Sequence, residues 1–69
     1  MKLSARNSLK GTILKIVPGS VNCEVILEIA GGAHVVSMIS KDAADNLGLK
    51  VGMTAYAVIK ASNVIIAID

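Results

Sequence analysis

From Ser20 to Ile29 apolar and polar residues alternate. Val21, Cys23, Val25, Leu27 and Ile29 fall on one side, Asn22, Glu24 and Glu28 on the other. A period of two marks a strand with one face on a core. Ile26 alone breaks the alternation, which assigns it to a subunit contact. The stretch before it is less regular. Residues 1–6 read as an extended lead-in, and Leu9 to Val17 as a strand ending at the Pro18-Gly19 turn. Its parity is mixed: Leu9, Gly11 and Ile13 share one face, while Leu14 and Ile16 take the other. Either both faces are covered or a bulge switches the pattern.

Gly31-Gly32 supplies the positive φ of a hairpin turn, and Ala33 to Ser40 forms a third strand, apolar on both faces. Asp42 to Leu47 favours a short helix, capped by Ser40 or Asp42 and stopped by Gly48. Leu49 to Gly52 is a connecting turn and Thr54 to Ile59 a fourth strand. After a polar break at Lys60–Asn63, Val64 to Ile68 reads as a fifth strand, apolar on both faces. The order β-β-β-α-β-β predicts a mainly β fold, a five-stranded barrel of the oligonucleotide/oligosaccharide-binding (OB) type with one short helix between strands three and four. The expectation is one domain over residues 1–69, without linker, low-complexity tract or internal repeat.

Composition adds a requirement for partners. Hydrophobic residues make up 54% of the 69, yet Phe and Trp are absent and Tyr56 is the one aromatic. A chain this short buries only about 60% of its unfolded surface, and small scaffolds need a staple. One cysteine, Cys23, and one histidine, His34, provide neither a disulfide nor a zinc set. Homo-oligomerisation is the staple left, and the surplus of aliphatic surface is read as subunit interface. No apolar run approaches the ~20 residues of a membrane-spanning helix, and the opening residues lack a signal-peptide core. The expected compartment is the cytoplasm, in keeping with an unpaired thiol.

Charge narrows the chemistry. The net charge of +2 is small, but repeated around an oligomer it attracts anions. Three stretches join hydroxyls and cations near strand ends: Ser4-Ala5-Arg6-Asn7, Ser37-Met38-Ile39-Ser40-Lys41 and Lys60-Ala61-Ser62-Asn63. None contains a carboxylate. Taken singly, Arg6 and Lys60 are ordinary solvated charges. Together with Ser4 and Ser62, each two residues away and so on the same side of an extended chain, they make a set of donors. Ser40 serves as a helix cap and as a donor without conflict. A pocket of donors without acceptors suits a fully deprotonated oxyanion. Molybdate, tungstate and sulfate qualify, whereas phosphate at neutral pH carries a proton that wants an acceptor.

Other residues carry less. Cys23 has the parity of a core residue, and His34 follows the glycine turn without a nucleophile beside it. Asp42 and Asp45 suit the start of a helix, and Glu24 and Glu28 share a polar strand face. With no Ser/His/Asp set, metal-ligand spacing or phosphate-binding glycine loop, an enzyme is not expected, nor is a cofactor or a bound metal ion.

Ser4 to Gly11 (Ser-Ala-Arg-Asn-x-Leu-Lys-Gly), Val25 to Gly32 and Val58 to Ser62 (Val-Ile-Lys-Ala-Ser) resemble the molbindins, small molybdate-binding proteins of the Mop family with a TOBE, OB-like domain. The resemblance covers essentially the whole chain. It implies a strand-exchanged dimer, a hexamer built as a trimer of dimers, and storage or homeostasis of molybdate, with tungstate also accepted. It also implies an oxyanion site between subunits formed by Ser4, Arg6, Ser40, Lys60, Ala61 through its backbone, and Ser62. A second oxyanion site is expected at Gly19, Ser20 and Val21. Ala43 departs from the family, where many members carry a hydroxyl. Two other readings compete. A nucleic-acid-binding OB module would stack bases on aromatics, which one tyrosine does not supply. A regulatory or structural module acting with a partner protein would use the two-sided apolar strands instead.

Overall fold

The computed structural model describes residues 2–69; Met1, the first residue of the expected lead-in, lies outside them. Strand β1 (Asn7–Pro18) pairs antiparallel with β2 (Asn22–Ile29) along most of its length and with β4 (Thr54–Ile59) along its first half. Strand β3 (His34–Ser40) pairs antiparallel with β2. The sheet order is β3-β2-β1-β4, so β3 and β4 are its edges.

The mixed parity of β1 resolves as a bulge. The β1–β2 register shifts between Ile13 and Lys15, which leaves Leu14 as the extra residue and brings Ile13 and Ile16 to the same inner side. Ile13 is fully buried, while Leu14 is exposed. The alternation in β2 is realised as read: Cys23, Val25 and Leu27 are buried, and with Ile13 and Ala44 they form the core. The expected start of β2 moves inward, because Ser20 and Val21 lie in the bend before it, and Val21 is 71% exposed. Gly31 and Gly32 take φ of +86° and +85° inside a 3-10 turn, Ala30–Gly32, and Ile29 N–H closes it on Ala33 C=O at 2.9 Å.

Helix α1 (Lys41–Leu47) follows β3 directly. Ser40 is its cap: the Ser40 Oγ accepts from Ala43 N–H at 3.0 Å, and Gly48 ends the helix in the left-handed region. Ala44 carries α1 into the core against β2 and β3. No helix among the described residues is long and apolar enough to cross a membrane.

The fifth strand is the main departure from expectation. After a 3-10 turn at Ala61–Asn63, residues 64–69 form no ladder with the sheet. Ile65, Ile66 and Ile68 are 92%, 82% and 93% exposed. The single chain is therefore a curled four-stranded sheet with one helix. A strand needs an edge to pair with, and this tail leaves the last turn without meeting one of its own. Between β3 and β4 lies an apolar groove of about 630 Å³, lined by Val35, Ile39, Leu49, Ala57 and Ile59 among others.

Candidate oxyanion site

Sheet register brings two of the three donor stretches together. The β1–β4 ladder ends at the pair Asn7–Ile59, and Asn7 Nδ2 also donates to Ile59 C=O at 3.2 Å. The next residue outward on each strand is Arg6 on one side and Lys60 on the other. Ser4 and Ser62 lie two further along their segments, and Ala61 opens the 3-10 turn. All of Ser4, Arg6, Lys60, Ala61 and Ser62 are exposed. The role of Asn7 was not assigned from sequence; its place in the opening stretch was visible, its clamp on Ile59 was not.

Ser40 is elsewhere. It pairs with Asn22 at the far end of β2, next to the turn that follows Pro18. Asn7 and Pro18 are the two ends of β1. One copy thus holds one group of donors at each end of its longest strand.

Near Ser40 lies the Gly19-Ser20-Val21 turn, the expected second site. Gly19 N–H donates to Asn22 C=O at 2.7 Å, and Lys41 N–H donates to Val21 C=O at 2.8 Å, so the turn is tied to the start of α1. The turn borders a shallow cavity of about 390 Å³, and Glu24 is part of its lining. A carboxylate there opposes a dianion, in contrast to the carboxylate-free group around Arg6 and Lys60.

The positive charge is not internally neutralised. Among the described residues His34 Nε2 and Glu28 Oε2 come to 3.6 Å across β2 and β3, a contact that is ionic only with a protonated imidazole, and no Lys or Arg joins a carboxylate. Cys23 is buried beneath the sheet as a free thiol. No cluster of His, Cys, Asp and Glu fit for a metal ion occurs among the described residues.

A small curled antiparallel sheet with a capped helix after its third strand, and donors at the ends of its long strand, defines the class: the chain belongs to the TOBE domain family, whose model matches residues 3–66. Within that family it is similar to molybdenum-pterin-binding protein 3 of Clostridium pasteurianum, 50% identical over 66 residues that cover 96% of this chain and 97% of the relative. Its fold matches MopII from Clostridium pasteurianum with a TM-score of 0.93 and 45% identity, over 97% of this chain and all of the other. It also matches ModG, a cytoplasmic molybdate-binding protein solved with molybdate bound, with a TM-score of 0.91 and 55% identity. That match takes in 94% of this chain and 46% of ModG.

Proposed function

We propose that this chain is a cytoplasmic molybdate-binding protein that stores or buffers the anion, and that it works as a homo-oligomer whose sites lie between copies. The observation that supports the reading is the β1–β4 register: its last pair, Asn7–Ile59, leaves Arg6 and Lys60 as the next residue outward on each segment, with Ser4 and Ser62 two further along and no carboxylate in either stretch. Two cations balance a dianion. Hydrogen bonds from charged donors to an oxyanion contribute about 1.5–3 kcal/mol each, so a few of them reach micromolar affinity after the entropy of capture. Ser40 sits at the other end of β1, so a pocket that joins it to Arg6, Lys60, Ala61 and Ser62 takes it from a second copy. Tungstate, with the same charge and shape, fits the same donors.

Strand exchange supplies the geometry. The edges β3 and β4 are free and face each other across an apolar groove, while residues 64–68 form an exposed apolar tail. The tail of one copy laid between β3 and β4 of another gives each a five-stranded barrel and buries both surfaces. A hexamer made of three such dimers is the assembly proposed. The Gly19-Ser20-Val21 turn is the proposed place of a second, weaker oxyanion site. The reading involves no catalysis, cofactor, membrane or nucleic acid.

Titration calorimetry with sodium molybdate in phosphate- and sulfate-free buffer, beside native mass spectrometry, tests the reading. The expected result is a defined oligomer carrying molybdate. Arg6→Ala and Lys60→Ala should each raise Kd about 10–100-fold, the equivalent of one charge-assisted contact. A monomer that takes up no anion would overturn it.

A further inference from the structure

Resting on that reading of the pocket, we infer that Lys41 is a further anion-attracting side chain, delivered to the interface by the copy that delivers Ser40. Lys41 closes the Ser37–Lys41 stretch, but the pocket derived above takes only Ser40 from that stretch, and the register of β1 and β4 does not reach it. Three observations support it. Lys41 directly follows Ser40, and its N–H is fastened to Val21 C=O at 2.8 Å, which fixes its backbone between Ser40 and the Gly19-Ser20-Val21 turn. Its side chain is exposed and joins no ion pair among the described residues, although Asp42 is its neighbour and Asp45 lies one turn along α1. It is also the first residue of α1, where the helix dipole favours an acidic side chain and opposes a cation. A locally unfavourable residue with no structural return points to function.

Physical chemistry assigns it a distinct part. Arg6 and Lys60 already balance the charge of a dianion, so Lys41 adds attraction over a longer range. Attraction of this kind weakens as salt shortens the Debye length, which is about 10 Å at 0.1 M.

The test compares Lys41→Gln, Lys41→Arg and the distant control Lys50→Gln, by molybdate titration at 20 mM and 500 mM sodium chloride (about a 20 Å and a 4 Å Debye length) and by thermal melting. Lys41→Gln should raise Kd about 5–30-fold at low salt and by less than about threefold at high salt. Its Tm should stay level or rise, and Lys41→Arg should bind like the parent. If Lys41→Gln binds as Lys50→Gln does at both salts, the inference falls while the molybdate site stands. If both Lys41 variants melt lower and bind less to the same degree, Lys41 is a folding residue and the inference also falls. If the parent chain takes up no molybdate, the underlying site is lost, and Lys41 with it.

Discussion

Gly11 leaves no room for a side chain. A Cβ there would stand 2.6 Å from the carbonyl oxygen of Glu28, and the next atom, at 3.2 Å, is that carbonyl's carbon. Gly11 pairs with Ile29 of β2 on one side and Ala55 of β4 on the other, at the crowded middle of the sheet. Backbone cannot swing aside as a flexible side chain can. Gly11→Ala should therefore cost about 1–3 kcal/mol, as overpacking does, read as a lower urea midpoint with an unchanged slope. A variant as stable as the parent would show that the two strands separate there without penalty. Sequence reading put Gly11 on one face of its strand with Leu9 and Ile13, left open which face is inner, and did not reveal this contact, which depends on the neighbouring strand β2. Cys23 was the easier residue. Alternation alone put it inside, and it is 2% exposed. Arg6 and Lys60 were legible as chemistry, because cations beside hydroxyls and away from carboxylates stand out. Their adjacency was not legible, since it follows from which residue of β1 faces which residue of β4.

Elements whose cause is local were the ones the sequence disclosed. Ser40 caps α1, Gly48 ends it, and the glycine pair turns β2 into β3, each because a particular residue satisfies a particular backbone need. The fifth strand was different. Val64 to Ile68 has the composition of a strand, but composition is the same whether the partner edge belongs to this chain or another. In β1, the bulge and the covered-face explanations predicted the same mixed parity, and only the register chose between them. The cap made by Ser40 can be separated from its proposed contact with the anion. Ser40→Ala removes the acceptor for Ala43 N–H and should lower stability by about 1 kcal/mol, together with anion affinity. Ser40→Asp keeps a strong cap but puts a carboxylate among donors. Its melting temperature should return to the parent value, while molybdate binding is lost. If Ser40→Asp bound molybdate like the parent, Ser40 would be a cap and nothing more.

As a whole molecule the single chain is more open than its size requires. Its accessible surface is 5390 Å², against about 4100 Å² for a typical folded monomer of its mass. Its radius of gyration is 12.7 Å, against about 11 Å for its length. Both excesses trace to the same features: a sheet open between β3 and β4, and a tail of exposed isoleucines. Burying one such side chain contributes about 1.5–3 kcal/mol, so docking the tail on a second copy is comparable to the entire stability of a small domain. The full chain should accordingly melt at a temperature that rises with protein concentration. Deleting residues 64–69 should yield a species that neither assembles nor binds molybdate. Point changes offer a finer test. Side chains alternate along a strand, and Val64, Ile66 and Ile68 form the richer apolar row, so in the proposed strand exchange they are the ones that would face the partner's groove. Ile66→Asp would place a charge in that groove and should dissociate the oligomer. Ile65→Asp, on the opposite row, should leave assembly largely intact. Equal tolerance of both changes in sedimentation would rule out the tail as the piece that closes the sheet, and some other surface would have to hold the copies together.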